Sequence, residues 1–248
     1  MRAQRSRSMN FLTESATAAV LLSIFLATLP VLAQSSKCYT SLRSHGVEAR
    51  HCEKAMENII YDVDQKLDDV SRYLTVFHKS CSINVQKPRR YTPTRGQVEA
   101  TIYNITRSCP GKGGVLVTPS NLITIVRRST SRNTYEINKP NCEQKQCFIS
   151  PQECMNAFEN LPVNRKGVFT GNQTIYSSNS TRGNCLVKIS TTDYAPFRTS
   201  HLETLSSFRV LVNECKEHPG VVFMNGGTAG YNGDVKISFR NWDEGKCV

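Results

Sequence analysis

The chain has 248 residues, 39% of them hydrophobic, with ten cysteines and a formal net charge of +11 at pH 7. A basic balance favours phosphates, anionic lipid head groups or acidic polysaccharide as partners. The basic residues are scattered, however, without the aromatic-basic interleaving of a nucleic-acid platform, so no specific nucleic-acid partner is expected.

Arg2, Arg5 and Arg7 lead an apolar run from Ala16 to Ala33 that closes on Val31-Leu32-Ala33. Small residues at the last and third-last positions suit signal peptidase, so residues 1–33 read as a cleaved signal peptide. Pro30 and the short apolar centre argue against an anchor, since a span needs ~20 mainly apolar residues. No later segment is apolar enough to cross a membrane, and the mature chain is expected to be secreted without a transmembrane segment. All ten cysteines follow the leader: Cys38, Cys52, Cys81, Cys109, Cys142, Cys147, Cys154, Cys185, Cys215 and Cys247. In an oxidising compartment thiols at this density pair as disulfides. Zinc sites favour close CxxC pairs, and none occurs, so no metal or other cofactor is expected. Asn104, Asn172 and Asn179 stand in N-x-S/T sites and are glycosylation candidates.

The first helix is signalled by HCEKAMENI, where Cys52, Ala55, Met56 and Ile59 share one helical face. Its start lies near Ser44, with a weak cap. Tyr73–Phe77 and Cys81–Val85 alternate as a β-hairpin. Thr94-Arg95-Gly96-Gln97 is a capping box for a second helix, which buries Val98, Ile102, Ile105 and Cys109. Strands follow at Val115–Val117 and Leu122–Val126. The same order then recurs. ECMNAFENL matches the first helix through Cys154, Ala157, Phe158 and Leu161, opened by the box Ser150-Pro151-Gln152-Glu153. Thr174–Tyr176 pairs with Cys185–Ile189. Ser200-His201-Leu202-Glu203 opens the last helix, with Leu205, Phe208, Leu211 and Cys215 inward. Strands at Val221–Met224 and Val235–Phe239 end the copy. Each copy reads β-α-β-β-α-β-β. The fold class is therefore α+β: two tandem α/β-sandwich domains, each an antiparallel sheet with two helices on one face, stapled by disulfides. The repeats are placed at 34–142 and 143–248. That division puts five cysteines in each and demands a bridge between the copies. Counting Cys142 with the second copy gives four and six, and demands none. Connectivity is open at this point.

The order of a cysteine, a capped helix with CxxA, a strand beginning at cysteine, a helix ending at cysteine and a glycine-containing hairpin resembles fungal secreted cysteine-rich effectors. These are the Ecp-two-type proteins and the viral killer toxins of smut fungi, here as a tandem duplication. The resemblance spans Cys38 to Cys247. It implies an α/β sandwich acting on a host or competitor cell, and a Kex-type processing site at Arg127-Arg128. Ordinary surface charge at a strand end is the favoured reading of that pair. Arg89-Arg90 and Arg165-Lys166 are lesser candidates.

Chemistry-bearing patterns are sparse. The five histidines, His45, His51, His78, His201 and His218, fall in no GxSxG or HExxH context. His51 with Glu53 is the one pair with acid-base potential, as in a small secreted ribonuclease. Gly226–Gly233 lacks the Lys-Ser/Thr and helix start of a phosphate loop and reads as a flexible hairpin tip. Tyr231 and Trp242 flank it as partner anchors or core residues. The leading expectation is a non-catalytic effector-like or killer-toxin-like protein binding an extracellular protein, cell-wall or membrane target. A small hydrolase or a cell-wall carbohydrate-binding protein is the alternative.

Overall fold

The computed structural model describes residues 35–145 and 147–243, so the leader expected at 1–33 and Cys247 lie outside the described residues. The first copy runs β1 (Lys37–Cys38), α1 (Ala49–Met56), β2 (Tyr73–His78), β3 (Cys81–Gln86), α2 (Arg95–Ser108), β4 (Gly114–Val117) and β5 (Ile123–Arg128). The second runs β6 (Asn141–Cys142), α3 (Pro151–Glu159), β7 (Ser177–Arg182), β8 (Cys185–Thr191), α4 (His201–Cys215), β9 (Gly220–Met224) and β10 (Val235–Asn241). Strands pair in the orders β1-β4-β5-β3-β2 and β6-β9-β10-β8-β7, antiparallel throughout. The tandem α+β architecture read from the sequence is the one observed. Among the described residues, no helix is long and apolar enough to cross a membrane.

Each sheet carries its helices on one face, and each copy has its own core. Cys52, Ala55, Met56 and Ile59 of the first helical segment and Val98, Ile102 and Ile105 of α2 close over Leu74, Ile83, Val85, Leu116 and Val126. Cys154, Ala157, Phe158, Leu161, Phe208 and Leu211 do the same over Val187, Ile189, Val222, Ile237 and Phe239. Strand alternation accounts for both sets, because every second side chain of a strand faces the helices.

The bridges repeat with the elements. Cys52–Cys81 and Cys154–Cys185 tie α1 to β3 and α3 to β8. Cys38–Cys109 and Cys142–Cys215 tie the C-terminal ends of α2 and α4 to the edge strands β1 and β6. Cys147 is also disulfide-bonded. Cys142 lies on the second sheet, so it counts with the second copy, and the four described bridges each stay within one copy. Gly114 and Gly220 occupy matching places at the starts of β4 and β9. A Cβ on them would lie 3.0 Å from the Cys109 sulfur and 2.6 Å from the Cys215 sulfur, so the sulfur's packing requires glycine.

Several local expectations are corrected. Ser41, not Ser44, opens a single 3₁₀ turn, and positive φ at Gly46 breaks the path to α1, which starts five residues later than expected with no side-chain cap from Glu48. Thr174–Tyr176 is not the hairpin strand. Thr174 turns back on Ser177, and the polar run Ser177–Arg182 makes the ladder to β8. Ser150 caps α3, but Glu153 does not reach back to it. Its carboxylate accepts from the Asn184 backbone N–H at 2.9 Å instead.

Candidate ligand-binding cleft

Residues that alternate away from the helices form an open face on each sheet. On the first sheet these include Tyr73, Thr75, Phe77, Asn84 and Arg127, and on the second Lys188, Ser190, Phe223 and Lys236. The connecting segment 129–141 runs between the two faces. Its Tyr135 ring stacks on Phe223 at 3.9 Å and meets Phe77 edge-on at 5.4 Å. The Tyr135 hydroxyl donates to Asp234 Oδ2 at 2.7 Å. Burial, reinforced by the Asp234 charge, pushes this phenol far above its ordinary range. Tyr135 therefore acts as an aromatic spacer holding the open faces apart.

A cavity of about 750 Å³ remains on one side of that spacer, with contributions from β2, β3, the connecting segment, β8, β9 and β10. A second, of about 650 Å³, lies on the other side, against Phe77, Lys79 and Lys139. The larger cavity is rich in hydroxyl and amide groups, among them Thr75, Asn84, Ser190 and Thr192. Among the described residues, four cationic side chains line it, Arg127, Arg132, Lys188 and Lys236, and no carboxylate does. Among the described residues the ion pairs are Arg50–Glu48, His51–Glu48, Lys54–Glu57, Lys66–Asp64, Arg95–Glu99 and Lys139–Glu136, and none of these four takes part. The Lys236 ammonium sits 5.8 Å from the Phe223 ring centroid. Crowding by protein atoms, then the neighbouring Lys188 charge, holds its pKa below the ordinary lysine range. Tyr176 and Tyr194 stack at 4.6 Å along one rim, and Tyr73 meets Tyr194 at 4.8 Å. Partial burial, followed by the two neighbouring phenols, raises the Tyr194 pKa.

The copies are locked together beside that rim by Asp193, which is fully buried. Its backbone carbonyl accepts from the N–H groups of Arg72 and Tyr73. Its Oδ2 accepts from the hydroxyls of Ser71 and Thr228, each at 2.9 Å, and its Oδ1 from the Ala195 N–H. Asp68 receives the Tyr231 N–H, and Asn232 exchanges two hydrogen bonds with the Ile60 backbone. The 226–233 loop is therefore packed, not a free hairpin tip. A Cβ on Gly230 or Gly233 would collide with the Asp193 carboxylate.

The remaining candidates scatter. His51 Nδ1 lies 2.8 Å from Ser80 Oγ and 3.5 Å from Glu48, with the His78 ring 5.8 Å away. Glu53 is exposed, and residues two apart on a helix do not share a face, so the expected His51–Glu53 pair does not form. His201 packs on Phe158 and Phe169, His218 Nδ1 faces the Lys145 carbonyl, and His45 is half-buried near Lys112. Among the described residues no cluster of His, Cys, Asp or Glu suits a metal ion. Asn104 is exposed on α2. Asn172 and Asn179 hydrogen-bond to each other through two bonds just outside Tyr176. Arg127 and Arg128 end β5, paired with Ser82 and Cys81. Tyr231 and Trp242 are about half exposed, so Trp242 is not a core residue. Sequence reasoning did not single out Lys188, Lys236, Tyr176, Tyr194 or Asp193 as site residues. The alternation of β8 and β10 marks the lysines as facing away from the core, but nothing in it shows that a second sheet lies opposite.

No family model and no curated protein matches the chain. Solved structures similar to it include the tandem DUF26 ectodomain of the cysteine-rich receptor-like protein PDLP5 of Arabidopsis thaliana, at 11% identity and a TM-score of 0.26, covering 83% of this chain and 97% of that one. The corresponding ectodomain of PDLP8 is similar at 10% identity and a TM-score of 0.27, covering 83% and 96%. Likeness this shallow carries no inference about role. Both are plant proteins, and the fungal effector and killer-toxin family gains no support from them.

Proposed function

We propose that this chain is an extracellular, non-catalytic binding protein whose recognition surface is the cleft between the open faces of its two sheets. One observation carries the reading: a polar cavity of about 750 Å³ is bounded by two sheets, each anchored by its own disulfides. Rigid walls limit the ordering cost of binding, and pockets of this size with a few placed polar groups accommodate ligands. The bridges favour an oxidising compartment. The hydroxyl, amide and cationic groups of the lining are the kind of groups that orient a polar ligand by hydrogen bonds and charge. The His51 group is accounted for by its hold on the β2–β3 turn.

Purified mature protein is expected to bind a component of a glycan and protein panel saturably while leaving RNA, polysaccharide and ester substrates intact. Turnover lost in His51→Ala would overturn the reading in favour of a hydrolase. Effector-like or toxin-like action is the more specific form of the proposal. It requires that the mature protein cause growth inhibition or host-cell necrosis, and that cleft substitutions abolish the effect.

A further inference from the structure

We propose, building on the binding role above, that the cleft takes an acidic polysaccharide, a sugar chain bearing carboxylate or sulfate groups. Lys188 and Lys236 stand on adjacent strands as diagonal neighbours on one face, since Lys236 pairs with Ser190, two residues from Lys188, and Lys188 with Ser238. Like charges in that relation repel, and no carboxylate in the cavity lining offsets them. Lys54, Arg95 and Lys139, on other parts of the surface, have carboxylate partners within 3 Å, whereas the four cleft cations share one cavity without such a partner in its lining. The cleft concentrates positive charge against protein walls, and such walls focus the field on an entering anion.

The rest of the lining selects the kind of anion. Thr75, Asn84, Ser190 and Thr192 offer hydroxyl and amide groups that match sugar hydroxyls. Tyr176 and Tyr194 put amphipathic rings on the rim, where an apolar sugar face can lie. A nucleic-acid site would need cations tracking a backbone with bases stacked on successive aromatic rings. Here Tyr176 and Tyr194 are stacked on each other at 4.6 Å and form a single platform, which suits one sugar ring and not a succession of bases.

The test is equilibrium binding of the mature, oxidised chain to polygalacturonate, a sulfated galactan, a neutral glucan and a single-stranded oligonucleotide. At least one of the two acidic sugar chains should bind, and which one does decides between carboxylate and sulfate. Lys188→Gln/Lys236→Gln should weaken that binding about tenfold. Lys54→Gln/Arg107→Gln removes the same charge from exposed helix positions and should leave affinity within about twofold. Both double variants should keep the wild-type melting temperature. An equal loss in the two variants would overturn the proposal in favour of diffuse surface charge, as would an oligonucleotide bound as tightly as the sugar acid. Neutral glucan bound equally well, with sensitivity to cleft substitutions, would overturn the anionic ligand while keeping the binding role. Failure of all four to bind, with a protein of the wider panel bound, would overturn the sugar ligand and keep the binding role, and failure of that wider panel as well would overturn both.

Discussion

Asp193 illustrates how one buried side chain can hold a duplicated molecule together. Two hydroxyls from different segments converge on one carboxylate oxygen, and a buried donor left unpaired costs roughly 1–3 kcal/mol. Asp193→Ala is therefore expected to lower stability by about 3 kcal/mol in urea unfolding. An effect below about 0.5 kcal/mol would show that the network does not couple the copies. The glycines of the 226–233 loop read as a flexible tip, and nothing local to them pointed to Asp193 and Ser71, which lie far upstream in the chain and meet Gly230 only in the folded molecule. Lys87 adds a pH signature. Its side chain is buried, its Nζ makes no hydrogen bond to protein, and burial lowers its pKa against the opposing charges of Asp68 and Asp69. The folded chain thus releases this proton at lower pH than the unfolded one. In the window just below 10.5 the unfolded state binds more protons, and stability from this group rises with pH. Lys87→Met is expected to be no less stable at pH 7 and to flatten that rise, which urea midpoints between pH 7 and 9.5 would reveal.

At the scale of elements the duplication reaches into capping. In both copies the N–H of the residue before the first helix donates to the side chain of a β-hairpin turn residue, Glu48 to Ser80 and Ser150 to Asn184, each at 3.2 Å. Three residues on, His51 holds Ser80 where Glu153 holds Asn184. His51 thus occupies the structural place of Glu153, and His51→Ala is expected to cost about 1 kcal/mol of stability without changing ligand affinity. A loss of affinity at unchanged stability would contradict this. Thr94 and Ser200 each complete a full capping box, and Thr94→Ala and Ser200→Ala should each cost about 1 kcal/mol in thermal unfolding. These boxes were legible because their partners lie three residues apart. The hairpin clamp was not, since its partners are about thirty residues apart and joined only by strand pairing. The Ser177–Arg182 strand escaped for a related reason. It contains no apolar residue to alternate, and its position is set by the β8 ladder.

On the scale of the whole molecule, the repeat, the two layers and the buried faces could all be read from spacing, while the cleft could not. Its lining is drawn from residues as far apart as Thr75 and Lys236, which become neighbours only when the two sheets face each other. Arg127, Arg132, Lys188 and Lys236, scattered along the chain, are thereby gathered in one place. The same assembly decides the fate of the dibasic pair between the copies. Arg127 and Arg128 are exposed as side chains, yet their backbone pairs with β3 in register with Ser82 and Cys81. Both halves of the susceptible amide are engaged: the Ser129 N–H donates to the Ser80 carbonyl, and the Arg128 carbonyl accepts from the Asn133 side-chain amide. A processing protease needs several residues of free, extended backbone, and here that requires stripping β5 from the interior of a five-stranded sheet. Opening of that kind draws on the stability of the whole copy, not on a local fluctuation. Cys81, the ladder partner of Arg128, is itself bridged to Cys52, and closing that loop contributes about 3–4 kcal/mol. The oxidised protein is accordingly expected to stay intact through prolonged exposure to a Kex-type protease. Cleavage after Arg128 should follow reduction, and mass measurement reads both outcomes. Rapid cleavage of the native, oxidised chain at that bond would mean that the end of β5 opens independently of the sheet.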